Sequence, residues 1–558
     1  MTTDNDSIGT RKSLTLRSSL LMLFVLALMA VSTRILPLTI SPLPYNQDGL
    51  TECRIASDII QTGHLTFPDG TYYAETHSVA TPVYDVLLAF VSSAIGVPAI
   101  DIAQIVVGAI AIVTVVCGFL IAKQIVGRTR EALAGALVLG LLGTFLFLTG
   151  STWKESLGVA MLLLLYYSYM NRSDLRLFAL EVVILGTIPF IHHLVAALGY
   201  LSIGFLTIWS IAFAVRNHSF TRRHLLDVSV LALLSSASYV YYAFVKLDRL
   251  SYVRIEGPLV FMIMVFLGLS AIMFLWLIQK KHLKYSFAPV PAVLIFSLFV
   301  MDYFYPLFPY DSGSPSVILI FAGAMCVLVG VAWLGVEDIV ESKNIYRAIP
   351  LGVLLPVIAV IAISLTSGFT LSAHQTLYRS FDFADIGIAL GISLGVMHFR
   401  KRPRAQALVI AIVVTTLIVT MPFSYATGKL TGVRHDTQLY ETDALQWLKD
   451  SAGSDWMLQS DERLSYVATA LYDFERMPYL PSRFSEEGLL GTGAFYVIEE
   501  EWMTVGVNDY PRGHPIVNET RVQFFLTCSN IFYIGGPVSN ELTIFSPSGA
   551  GYDTFGLS

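Results

Sequence analysis

Apolar runs of about twenty residues recur along most of this 558-residue chain, and they constrain its fold more than any other feature. Hydrophobic residues make up 55% of the chain and charged residues only 14%, whereas a soluble protein carries about 25% charged residues. A helix of about 20 apolar residues is long enough to cross the hydrocarbon core of a bilayer. The sequence therefore predicts a polytopic α-helical membrane protein.

The Lys and Arg residues between these runs predict the orientation of the spans, because cytoplasmic loops are enriched in both. Arg11, Lys12 and Arg17 precede the first run, at 18–39, and place the N-terminus in the cytoplasm. Every predicted inner segment then carries two or more Lys or Arg, while the outer loops are sparsely basic. This alternation predicts about 13 transmembrane helices in a membrane domain over residues 1–424, with an outer loop at 40–100.

The chain from 425 to 558 differs in composition and is predicted to be a small extracellular α/β domain. From Thr427 onward it holds 18 Asp and Glu against 8 Lys and Arg. YETDALQWLKDSA reads as an amphipathic helix, and WMLQSD, FYVIEEEWM, IFYIGGP and ELTIFSP read as strands. The domain contains no phosphate-loop or catalytic-serine motif.

Charge and cysteine usage exclude other classes of partner and site. The sequence has no stripe of basic residues that would indicate binding to nucleic acid. The sequence contains no C-x-x-C or H-E-x-x-H motif, so it does not predict a zinc site. Cys117 and Cys326 fall within predicted spans, whereas Cys53 and Cys528 both fall on the outer side and could pair or stay free.

The segment YNQDGLTECRIASDIIQTGHL follows the first span and places Asp48 at the start of a short amphipathic helix. Leu50, Ile55, Ile59 and Ile60 supply its apolar positions, and Gly63 is expected to end it. Asp48 has two compatible interpretations. It could be the N-cap of this helix, a catalytic carboxylate just outside the membrane, or both.

Other polar residues on the predicted outer face are candidates for a site, because ionisable groups within lipid are costly and functional sites gather at span ends. The candidate cations for a phosphate are Arg54, Lys154 and Arg379, with Tyr378 beside the last. The further candidates are Glu75, His77, Glu155, His192 and His193.

Each of these residues also has a purely structural interpretation. Arg54 could pair with Asp58 at i,i+4. Lys154 and Glu155 could form an interfacial pair. The two histidines could bond backbone carbonyls near a helix end, and Tyr378 with Arg379 could anchor a helix at the interface.

The layout as a whole resembles the GT-C superfamily of glycosyltransferases, which use polyprenyl-phosphate-linked sugars. The early acidic residue of the family matches Asp48. TPVYDVLLAFVSSAIG, whose Val83–Ile95 part is too short for a span, looks like the family's interfacial helix. AKQIVGRTREALAGAL is typical of its turn between the second and third spans. Within the superfamily, the chain is most similar to the archaeal dolichyl-phosphate-mannose mannosyltransferases of N-glycosylation.

The resemblance implies that a sugar moves from dolichyl phosphate to a hydroxyl on a lipid-linked or protein-linked glycan. It implies that Asp48 acts as the base, with Glu155 or Glu75 as a second acidic residue, and that a cation stabilises the leaving phosphate. A monophosphate needs less neutralisation than a diphosphate, so no cofactor is required, although a divalent metal is possible.

Two other functions remain open at this point. An oligosaccharyltransferase or ligase relative is disfavoured, because no W-W-D-Y-G stretch occurs in the chain. A lipid or solute transporter would carry polar residues through the bilayer midplane, and this chain offers few.

Overall fold

The computed structural model describes the chain over thirteen stretches. They are residues 5–65, 81–244, 315–335, 339, 345–366, 371–425, 434–454, 456–477, 494–504, 507, 517–527, 529–537 and 540–547. Glu75, His77, Cys528 and the predicted eighth and ninth spans lie outside the described residues.

The described residues between 5 and 425 form a helical bundle. Its helices are α1 (Asn5–Ile35), α2 (Gln47–Thr62), α3 (Val83–Ile95), α4 (Ala99–Val126), α5 (Thr129–Leu141), α6 (Gly143–Gly150), α7 (Lys154–Met170), α8 (Leu175–Thr187), α9 (His193–Arg216), α10 (Arg222–Phe244), α11 (Pro315–Leu334), α12 (Ile349–Thr366), α13 (Leu371–His398) and α14 (Pro403–Thr420). Helix α4 packs against α1, α5 and α7, and α13 packs against α5, α11 and α12. One continuous apolar core joins most of the bundle helices, and a second core joins α2 and α3 to α4 and α7.

Helices long and apolar enough to cross a membrane are present, but the predicted number of about 13 spans was wrong. The described residues hold five such helices, or six if α5 and α6 form one bent span. The predicted fourth and fifth spans are helices of only 17 and 13 residues, and a span needs about 20. Helix α7 is buried along nearly its whole length, so its apolar residues face protein.

The break between α5 and α6 bends the chain by 61° and is bound by a buried arginine. Arg34, at the end of the first span, donates hydrogen bonds to the carbonyls of Leu139 and Gly140 at 2.8 and 2.9 Å. It also contacts the Thr149 hydroxyl at 2.7 Å. The last carbonyls of a helix lack intrahelical partners, and a cation there is favourable. Arg34 therefore supplies hydrogen-bond donors to the backbone carbonyls near the C-terminal end of α5.

The described residues between 434 and 547 form a mixed sheet with helices. Its elements are α15 (Leu439–Ala452), β1 (Met457–Gln459), α16 (Glu462–Tyr472), β2 (Glu475–Met477), β3 (Ala494–Glu499), α17 (Glu519–Thr527), β4 (Ser529–Gly535) and β5 (Leu542–Pro547). The strand order is β2-β1-β3-β5-β4. β1 is parallel to β2 and β3, and β5 is antiparallel to β3 and β4.

The predicted helix and the four predicted strands of this domain are confirmed as α15, β1, β3, β4 and β5. The strand predicted over FYVIEEEWM ends at Glu499, and its last four residues form a 3-10 helix, Glu500–Met503. Sequence reasoning missed α16, β2 and α17. Helices α15 and α16 cover one face of the sheet, where Leu445, Leu464 and Val497 are fully buried in an apolar core.

Candidate functional site

The helix that carries Asp48 is confirmed as α2, but its N-cap is Asn46 and not Asp48. The Asn46 side-chain oxygen accepts a hydrogen bond from the backbone N–H of Asp48 at 3.0 Å. Asn46 has a φ of 85° and a ψ of 138°, a combination outside the left-handed helical region and strained for any residue with a Cβ. Asp48 is the second residue of α2 and is half-buried. Gly63 ends the helix in a left-handed conformation, as predicted.

The start of α2 lies directly against the loop that leads into α7. The backbone N–H of Thr152 donates to the Tyr45 carbonyl at 3.0 Å. A Cβ added to Gly49 would lie only 2.6 Å from Thr152 Cβ. Gln104 bridges the two segments, since it accepts from the Tyr45 N–H at 3.0 Å and donates to the Gly150 carbonyl at 2.7 Å. Asp48 is thus held close to the start of α7.

Lys154, the first residue of α7, is buried between two carboxylates. Its Nζ lies 3.0 Å from Asp85 Oδ2 on α3 and 3.4 Å from Glu52 Oε2 on α2. It also donates to the Thr81 hydroxyl at 3.3 Å. Glu52 and Asp85 were not among the predicted site residues. Glu52 lies one helical turn after Asp48, which is the one signal that the sequence offered for it.

Burial raises the pKa of Glu52 well above its usual range, and the Asp85 carboxylate raises it further, while Lys154 opposes both. The charge of Asp48 also contributes to this increase. One ammonium group faces two carboxylates here. This surplus of negative charge favours the protonated form of Glu52.

Glu155, the next residue along α7, belongs to a second cluster. Its Oε1 lies 3.1 Å from His192 Nε2 and 2.5 Å from Arg379 Nη1 on α13. Glu155 and His192 are buried, whereas the Arg379 side chain keeps 34% of its surface exposed. The His192 ring lies 4.3 Å from the His193 ring. Within the described parts of the chain, the buried Nδ1 of His192 has no hydrogen-bond partner.

The remaining candidates have different surroundings. The predicted i,i+4 pair of Arg54 and Asp58 is confirmed, with Arg54 Nε 3.0 Å from Asp58 Oδ1. Arg54 also reaches Asp473 in the C-terminal domain at 3.0 Å. Tyr378 precedes Arg379 in α13, and its side chain lies outside the described residues. Cys53 is a free, buried thiol. Cys528, with which the sequence left a pairing open, lies outside the described residues.

One end of the bundle therefore collects Asp48, the Lys154 cluster and the Glu155 cluster. Such a group offers a half-buried carboxylate that can accept a proton and a partly exposed guanidinium that can bind an anion. Among the residues described, no three His, Cys, Asp or Glu side chains are placed to hold a metal ion.

A comparison of the chain with models of known protein families found no match, and a comparison with curated proteins found none.

Proposed function

We propose that this protein is an inverting glycosyltransferase that moves a sugar, mannose, from dolichyl phosphate to a hydroxyl of a lipid-linked or protein-linked glycan. One observation carries the proposal. The loop from Gly150 to Trp153 packs against the start of the Asp48 helix and leads into Lys154 and Glu155, and Glu155 binds Arg379. This arrangement supports a site in which Asp48 is the base and Arg379 is the cation that binds the phosphate.

In the proposed reaction, Asp48 accepts the proton of the acceptor hydroxyl as its oxygen attacks the anomeric carbon. The bond between that carbon and the phosphate oxygen breaks on the opposite face, and the configuration inverts. Opposed groups flanking an oxocarbenium-like state are the logic of inverting glycoside chemistry. Asp48 suits this role because its backbone N–H is already bonded to Asn46 and its carboxylate is not needed as a cap.

The leaving dolichyl phosphate gains charge as the bond breaks, and a preorganised cation stabilises it most in a site that excludes water. Arg379 is the favoured candidate, because its guanidinium is only partly buried. Lys154 would have to leave both Asp85 and Glu52 to reach a phosphate. His192, beside Glu155, is a second possible donor to the phosphate.

The reaction is proposed for the outer face of the cell membrane, during N-glycosylation of surface glycoproteins. The Lys and Arg before the first run support a cytoplasmic N-terminus. The packing of Leu50 in the core of the C-terminal domain supports a position of that domain on the same side of the membrane as Asp48, which is proposed to be extracellular. The five or six long apolar helices support the membrane location.

Mass spectrometry of surface glycans, with and without the gene for this chain, tests the proposal. Glycans that lack one terminal hexose in the deletion strain are the expected result. Loss of every N-glycan would instead assign the chain to the ligase alternative, and unchanged glycans would contradict transfer of a sugar altogether.

A further inference from the structure

The C-terminal domain contacts the chain on both sides of Asp48. Before it, the Ser41 hydroxyl donates to the Thr437 carbonyl, and the Tyr45 ring lies 6.4 Å from the His435 ring. Leu50, after Asp48, is fully buried in the apolar core of that domain.

Helix α2 is held between two different cores. Leu50 packs with Leu445, Leu464 and Val467 of the C-terminal domain. Cys53, one turn further along α2, packs with Tyr84 of the bundle. Because Leu50 lies only two residues after Asp48, a shift of the C-terminal domain would move the carboxylate.

The C-terminal domain presents a rigid surface to α2, since α16 is fixed at both of its ends. At its start, Arg463 contacts Glu441 at 2.8 Å and Glu499 at 2.6 Å, and all three side chains are buried. Asp473 follows the last residue of α16 and contacts Arg54 of α2 at 3.0 Å.

We propose that the C-terminal domain positions the Asp48 helix, with Leu50 as the main positioning residue and the Arg54–Asp473 ion pair as a weaker second contact. The inference rests on the proposed function for its kinetic part only. Leu50 ranks first because it is buried, whereas Arg54 and Asp473 are partly exposed and exposed ion pairs contribute little.

The test compares full-length Leu50→Ala, Leu50→Met and Ile60→Ala in membranes. Ile60 is on the same helix and is 42% exposed, which makes it a matched control. The readouts are kcat and donor KM for sugar transfer, and the rate at which maleimide alkylates Cys53, located by peptide mass spectrometry. Cys53 is a buried free thiol on α2, so its alkylation reports loosening of the helix without any need for activity.

We expect Leu50→Ala to lower kcat by up to about 10²-fold, the loss that a misplacement of about 1 Å can cause. Donor KM should change little, Cys53 should be alkylated faster, and Leu50→Met and Ile60→Ala should behave nearly as the wild type. An unchanged kcat would overturn the inference, whether or not Cys53 becomes reactive.

If Leu50→Ala does not fold, Asp473→Asn takes its place, because Asn keeps the size of Asp and tolerates the φ of 62° at this position. Its kcat should fall by roughly 2- to 5-fold, the range for an exposed ion pair, while Asp58→Asn leaves kcat unchanged. Equal kcat values in the two variants would overturn the inference.

If the wild type transfers no sugar, the proposed function fails. In that case the rate of Cys53 alkylation alone decides whether the C-terminal domain holds α2. Leu50→Ala is compared with Ile60→Ala, and Asp473→Asn with Asp58→Asn. A rate that is the same in variant and control would overturn the inference that the domain holds α2.

Discussion

Lys154 and Glu155 are consecutive residues, yet they form ion pairs with different parts of the protein. Lys154 binds Asp85 on α3 and Glu52 on α2, while Glu155 binds His192 and Arg379. The interfacial pair between the two neighbours, which the sequence left open, is thus replaced by long-range contacts. The start of α7 is the point where the Asp48 helix and the Arg379 helix are joined through charged side chains.

Arg379→Ala is expected to weaken use of the donor more than it weakens folding. A lost charge-assisted contact is worth about 1.5–3 kcal/mol, so kcat/KM for the donor should fall roughly 10- to 150-fold. Transfer rates over a series of donor concentrations measure this. Arg128→Ala, which removes an exposed cation just before α5, is the control. A donor dependence that is the same in both variants would return Arg379 to the role of an interface anchor.

Asn46→Ala is expected to destabilise the start of α2 more than Asn46→Gly does. Both lose the side-chain cap, but only alanine is strained by a φ of 85°. Loss of a cap costs about 1 kcal/mol for alanine and a few tenths for glycine, and the strained backbone adds about 1–3 kcal/mol to the alanine variant. Thermal unfolding in detergent measures the difference. Equal midpoints for the two variants would mean that Asn46 is not strained in this way.

Gly49→Ala should push α2 away from the loop before α7. The added methyl group would lie 2.6 Å from Thr152 Cβ and 2.9 Å from the Thr152 carbonyl oxygen. Overpacking of this kind costs about 1–3 kcal/mol. Gly186→Ala on α8 is a matched control, because a Cβ there meets nothing within 4 Å and alanine favours a helix. A Gly49→Ala protein as stable as Gly186→Ala would contradict the close approach.

The stability of the protein should depend on pH through His435, which lies beside the Phe147 ring at 4.9 Å. Burial lowers the pKa of His435 to about 4, from an ordinary value of 6.5, despite the nearby Asp436. Between pH 6.5 and 4 the unfolded chain binds the proton that the folded chain excludes, so stability is lost as the pH falls through this window.

Thermal unfolding of the wild type and of His435→Gln at pH 7.5 and pH 5 measures this effect. The wild type should lose about 1–2 kcal/mol more on acidification, from ~1.36 kcal/mol per pKa unit. Glu441, whose pKa burial raises to about 8, titrates with the opposite sign in both proteins and cancels in the comparison. An identical loss in the two proteins would show that His435 is not buried in its neutral form.

Local features were predictable from the sequence. The bounds of α3 and the end of α2 at Gly63 matched the predictions, as did the Arg54–Asp58 pair. Each of these depends on residues within one or two helical turns, where capping glycines and i,i+4 spacing act.

Long-range features were not predictable. Lys154 meets Asp85 across a sequence separation that no local pattern encodes, and Leu50 contributes to the core of a distant domain. The predicted number of spans was wrong for a related reason. A helix buried in protein and one facing lipid are equally apolar, and α7 belongs to the first kind.

The substitution Asp48→Asn separates the proposed role of Asp48 as the base from a structural role. Because Asn46 caps α2, this substitution should leave folding nearly unchanged. Amide nitrogen and oxygen cannot accept the proton as a carboxylate does, and loss of general-base assistance costs about 10²–10⁴ in rate. The measurement is sugar transfer per unit of membrane-inserted protein. We expect normal insertion with transfer reduced by that factor, and near-normal transfer by Asp48→Asn would contradict the role of Asp48 as the base.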